Sequence, residues 1–95
     1  MAFETIIKDG IAELVFNKPP VNAFDSLEWA SIAQVIVELG VDNNVNVIVI
    51  RAEGRGFCAG VDIKELAADS SKIVAVNKGN YDTFEAIHRN PKPVI

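Results

Sequence analysis

Gly56-Phe57-Cys58-Ala59-Gly60-Val61-Asp62-Ile63-Lys64-Glu65-Leu66 joins a run of small residues to a helix start just after a strand-like segment. That segment, Val45 to Ala52, carries Val45, Val47, Ile48, Val49 and Ile50 in nearly continuous succession, the pattern of a strand covered on both faces. Gly54 onward therefore lies at a strand's carboxyl end. In α/β proteins ligands bind at that edge, and a helix beginning there points backbone N–H groups and the positive end of its dipole at whatever sits above it. Small side chains at Cys58, Ala59 and Gly60 let a ligand approach the backbone closely. The expected guest is an anion or an oxyanion.

Two nucleotide motifs compete for this loop. Gly54-Arg55-Gly56-Phe57-Cys58-Ala59 formally fits the dinucleotide pattern G-x-G-x-x-G/A, which also wants an acidic residue about 20 positions on at the end of the next strand. The nearest strand-like run, Lys72 to Val76, ends in Asn77-Lys78 instead. A phosphate-binding P-loop needs Gly-Lys-Ser/Thr, and Gly60 is followed by Val61-Asp62. Neither motif is satisfied.

Outward from the loop, Phe3 to Lys8 and Ile11 to Asn17 read as two strands joined by the tight turn Asp9-Gly10, and Pro19-Pro20 stops the sheet. Asp25 with Glu28 three residues later forms a capping box, and Gly40 supplies a helix stop. Within that helix Trp29, Ile32, Ala33, Ile36 and Val37 suit a packing face. Asp42-Asn43-Asn44 turns the chain into the strand at Val45. A short helix follows Val61, then a polar stretch around Ala68 to Ser71. A longer helix ends near Arg89, with Ile73, Val76, Phe84 and Ile87 on one face and Gly79 as an irregularity. The order is hairpin, helix, buried strand, loop helix, second long helix.

The 95 residues suffice for one small domain, and 49% hydrophobic content argues against disorder. A net charge of -4 and a pI near 4.8 disfavour nucleic acid as the main partner, while Lys18, Arg55 and Lys64 can still face phosphates locally. A single cysteine forms no internal disulfide and suits a reducing cytoplasm. No long apolar run or signal-like start is present, so no membrane partner and no export are expected. Several residues have plain readings: Lys64-Glu65 as a solvated helix pair, Cys58 as a small hydrophobe, and His88 as a favourable charge at a helix end.

The loop segment resembles the crotonase (enoyl-CoA hydratase/isomerase) superfamily, and three further segments agree in order and spacing. They are Asn17-Lys18-Pro19-Pro20-Val21-Asn22-Ala23-Phe24, the strand Val45 to Arg51, and Phe84 to Ile95. The resemblance implies an α/β fold, the N-terminal part of a ββα spiral, with residues 1–95 as a single N-terminal domain cut within a strand opening at Val94-Ile95. It implies that the Val61 N–H is one of two donors to the thioester oxygen of an acyl-CoA and helps stabilise an enolate. Ala59, Gly60, Asp62 and Ile63 would line the CoA site, Lys64 would approach its phosphates, and Pro20, Val21 and Ala23 would flank adenine and pantetheine. Coenzyme A enters as part of the substrate, with no separate cofactor or metal.

Family members often have Ala at the position of Val61, a difference that bears on the shape of the acyl pocket. The second donor, the acid and base residues, and the helices of the family's trimer would lie beyond Ile95. Glu28, Glu65 and Glu85 match no catalytic position. The parent is expected to be an enoyl-CoA hydratase or a close relative, with these residues inactive alone. The competing reading is a non-catalytic assembly module, a dimer or larger species, in which an unpaired strand edge drives association. A dinucleotide-binding module stands third.

Overall fold

The computed structural model describes residues 2–95 and has the expected α/β architecture. Strands β1 (Phe3–Lys8) and β2 (Ile11–Phe16) form an antiparallel hairpin, in register from Phe3 opposite Phe16 to Lys8 opposite Ile11. Its turn places Asp9 at φ 53° and Gly10 at φ 80°, the left-handed pair that matches the twist of a two-residue hairpin. A Cβ on Gly10 would also lie 2.5 Å from Asn46 Nδ2, so the Asn46 side chain would have to move.

Strand β3 (Ala23–Phe24) precedes helix α1 (Ser26–Gly40), and strand β4 (Val47–Ala52) returns parallel to β2. The expected start at Val45 is two residues early. Val45 is buried, but its N–H donates to Asp42 O at 3.1 Å, so the Asp42 turn claims it before the ladder begins. The strand is also less covered than its composition suggests. Only Ile48 is fully buried, and the remaining residues of β4 are half-buried. Its apolar run instead reflects an interior position in the sheet: Val94 and Ile95 pair parallel to it, with Ile95 N–H donating to Ile48 O at 2.9 Å and Ile50 N–H to Ile95 O at 2.8 Å.

Asp25 closes the expected capping box: its carboxylate accepts from Glu28 N–H at 2.8 Å, while Glu28 Oε1 accepts from Asp25 N–H at 2.9 Å. Trp29, Ile32, Ala33, Ile36 and Leu39 form the buried stripe of α1 at helical spacing. Val37 falls off that stripe and is 52% exposed, contrary to expectation. Gly40 is the last helical residue rather than a left-handed stop. Its lack of a side chain admits Asn90, whose Nδ2 would lie 2.9 Å from a Cβ and which donates to Ile36 O at 3.1 Å.

After strand β5 (Gly60–Val61) and helix α2 (Ile63–Ala68), a 3-10 turn (Ser70–Lys72) leads into helix α3 (Ile73–His88). The strand-like run Lys72 to Val76 is thus the end of this turn and the first turn of α3. The buried face of α3 is Val76, Gly79, Thr83 and Ala86; of the expected face, Val76 is buried and Ile87 packs against the core, while Ile73 and Phe84 are 44% and 63% exposed. The cause is a close helix crossing. A Cβ on Gly79 would stand 2.7 Å from Trp29 Cβ, and the Thr83 hydroxyl lies 3.2 Å from Trp29 O, so small residues occupy the contact and large ones flank it. Phe3, Leu14, Phe16, Phe24, Trp29, Ile32 and Ile36 form the main core between sheet and helices. Among the described residues no helix is long and apolar enough to cross a membrane.

Candidate functional site

The site is assembled by two loops that a single buried asparagine ties together. Asn22, at φ 56° and 4% exposed, accepts from Lys18 N–H at 2.6 Å through Oδ1. Its Nδ2 lies 3.1 to 3.2 Å from the carbonyls of Glu53, Gly56 and Phe57. Asn tolerates the left-handed conformation better than most residues, and its amide satisfies carbonyls that the irregular loop leaves without partners. The loop following β4 is therefore fixed to the loop preceding β3.

From this anchor β3 pairs parallel to β5, Ala23 opposite Gly60 and Phe24 opposite Val61. Ala59 N–H donates to Val21 O at 3.0 Å, and Asp62 N–H to Phe24 O at 2.9 Å, extending the junction on both sides. Gly60 has φ 105° with open space where a Cβ would be, so conformation rather than crowding demands glycine. Asp62 then caps α2, its Oδ1 accepting from Lys64 N–H at 3.0 Å.

Pro20, Val21, Ala23, Ala59, Val61, Asp62, Ile63 and Lys64 line one cleft of about 340 Å³, joined there by Lys18 and Pro19. Gly60, the remaining residue expected at the site, lines a different cavity. That pocket, about 300 Å³, is walled by apolar groups including Phe16, Trp29, Ile36, Phe57 and Phe84, with Cys58 among them. β5 is thus a partition between a cleft rimmed by charge and an apolar pocket. A third hollow of about 510 Å³ shares Pro20, Val21 and Ala59 with the cleft and adds Arg55.

Charge is distributed unevenly around these hollows. Lys18 pairs with Glu28 and lies 3.7 Å from Asp62 Oδ2. Partial burial disfavours its ammonium, yet the hydrogen bond to Glu28 and the charges of Glu28, Asp25 and Asp62 outweigh that and hold its pKa above the usual lysine range. Of the three cations expected to face phosphates, Lys18 is therefore engaged by carboxylates. Lys64 and Arg55 have no acidic partner among the described residues. Lys64 and Glu65 do not form the solvated pair that adjacency suggested: Glu65 instead accepts from Ser26 N–H and Ser26 Oγ, both at 2.9 Å.

Asn22, Lys18 and Glu65 are the site-forming side chains whose parts sequence reasoning missed. The loop Asn17 to Phe24 drew attention to the region, but an amide spanning 35 positions to Phe57 leaves no local signature. His88 is exposed at the last turn of α3, and Glu85 pairs with Arg89.

This fold is that of a crotonase-type ββα unit. A family profile described as enoyl-CoA hydratase/isomerase matches residues 6–95, and the chain belongs to that family. It is 39% identical over 89 residues to a "(7aS)-7a-methyl-1,5-dioxo-2,3,5,6,7,7a-hexahydro-1H-indene-carboxyl-CoA hydrolase" of Rhodococcus jostii, covering 92% of this chain and 34% of the relative. A hydrolase of the same description from Mycobacterium tuberculosis is 36% identical, covering 96% of this chain and 38% of the relative. The chain thus spans a little over a third of the length of these curated relatives. In structure it is similar to an enoyl-CoA hydratase from Mycobacterium smegmatis, with TM-score 0.88 at 28% identity over 99% of this chain and 38% of that one.

Proposed function

We propose that these residues form the acyl-CoA-binding part of a crotonase-family enzyme. The observation that carries this reading is the partition at β5, with Val61 on the wall of a cleft bearing unpaired Lys64 and Gly60 on the wall of an apolar pocket. A CoA thioester has that same division, an anionic carrier on one side of its carbonyl and an acyl group on the other. In this reading Lys64 and Arg55 meet the phosphates, Pro20, Val21 and Ala23 flank adenine and pantetheine, and Ala59, Asp62 and Ile63 complete the groove.

The Val61 N–H donates to the thioester oxygen as negative charge develops there. A preorganised donor of this kind is worth about 3 to 4 kcal/mol of barrier, so one alone does not complete the chemistry. Moving a proton at the α- or β-carbon also needs a carboxylate within hydrogen-bond reach, and Glu28, Glu65 and Glu85 are engaged by Lys18, Ser26 and Arg89. These residues by themselves are therefore read as binding acyl-CoA without turning it over. Hydration or hydrolysis is expected once the remainder of the family fold is supplied. For the acyl group we favour a compact ring, supported by the pocket's aromatic walls and by the ring-carboxyl-CoA hydrolases among the relatives.

Trp29, the single tryptophan, stands in the wall of the apolar pocket and reports on its filling. Titration with cyclohexanecarboxyl-CoA is expected to change its emission saturably, whereas free CoA binds with little change. Identical responses to the two ligands would contradict the assignment of the pocket to the acyl group.

A further inference from the structure

We propose that Glu65 is a positioning residue that sets the direction of the Val61 amide, an inference that rests on Val61 being a thioester donor. Helix α2 has six residues, none of them fully buried, so packing alone holds it weakly. What holds it is polar. Glu65 Oε1 accepts from the Ser26 N–H and Oε2 from the Ser26 hydroxyl, each at 2.9 Å. Two acceptors on one carboxylate fix rotation as well as distance, and Ser26 begins α1, where the helix dipole favours a negative group.

A second tether lands on the same turn. Asp62, directly after Val61, lies 3.7 Å from Lys18 Nζ, which also pairs with Glu28 of the α1 capping box. Helix α1 is in turn set into the core through Trp29, Ile32 and Ile36. The amide at residue 61 is therefore referenced to the core twice, through the Asp62 N–H bond to Phe24 O and through α1, and Glu65 is the only side chain of α2 that makes a hydrogen bond to α1 among the described residues. Misdirecting a donor by a few tenths of an ångström weakens its bond to a developing charge.

The test uses ¹⁵N-labelled chain and compares amide spectra with acetyl-CoA and with free CoA. In the wild type the Val61 amide is expected to shift with the thioester and not with CoA, while the Lys64 amide responds to both. Glu65→Ala is expected to lose the thioester-specific shift at Val61 even at ligand concentrations that saturate the Lys64 response. Glu65→Gln, which keeps one carbonyl acceptor of the two, restores about half of it. Full retention of the Val61 shift in Glu65→Ala overturns the proposal while leaving the donor reading intact. Absence of that shift in the wild type removes the donor reading and the proposal together. Should Glu65→Ala lose its amide dispersion, Ser26→Ala decides, since it deletes only the hydroxyl: a diminished Val61 shift supports the tether and an unchanged one contradicts it.

Discussion

Asn22 shows how much a single side chain carries where backbone is irregular. Its amide serves carbonyls of the loop after β4 while its oxygen takes the Lys18 N–H, and Asn22 itself is buried. Asn22→Asp removes the donors and keeps the size, so it is expected to destabilise by about 1 to 3 kcal/mol in urea unfolding. A loss no larger than a surface substitution would mean that the two loops are held by other contacts. Gly79 is a second such position. Gly79→Ala would gain about 1 kcal/mol of helix propensity but meets Trp29 Cβ at 2.7 Å, and overpacking of about 1 to 3 kcal/mol should dominate. An unchanged or raised Tm would show that the two helices separate easily. Lys18 supplies a pH signature. Its folded pKa is raised above 10.5, so its contribution is fully present below that value and is lost as pH rises through the folded one. The stability difference between wild type and Lys18→Met should hold steady below pH 10.5 and shrink above it.

Elements were legible where their signal is local. Asp9-Gly10 between two apolar runs gives the hairpin because both turn residues adopt positive φ, and Asp25 with Glu28 gives the helix start because each satisfies the other's backbone. The face of α3 was legible only in part, through Val76 and Ile87. Hydrophobic periodicity points to Ile73 and Phe84, but a close crossing selects by size, and Gly79, Thr83 and Ala86 win the contact. Gly40 was misread for a related reason: its small size admits Asn90, and nothing within α1 announces a neighbour 50 positions away. The capping box gives the most direct check at this scale. Asp25→Ala is expected to cost about 1 kcal/mol, measured by thermal unfolding, and a neutral result would mean that Glu65 alone sustains the start of α1.

Across the whole molecule, two remote loops converge on one partition, and that convergence was visible in the sequence only through resemblance. Gly54 to Leu66 by itself indicated a ligand-facing turn. The pairing of Ala23 with Gly60, which creates the cleft and separates it from the apolar pocket, depends on Asn22 and on Phe24 entering the core. Lys18 was expected to face phosphates, yet Glu28 and Asp62 pair with it, leaving Lys64 and Arg55 as the open cations of the three among the described residues. The central claim concerns acyl-CoA, and calorimetric titration with acetyl-CoA tests it most directly. Saturable binding, weakened about tenfold or more by Lys64→Glu, is the predicted result. No heat of binding to either protein at millimolar ligand would contradict the assignment and favour a module of assembly instead.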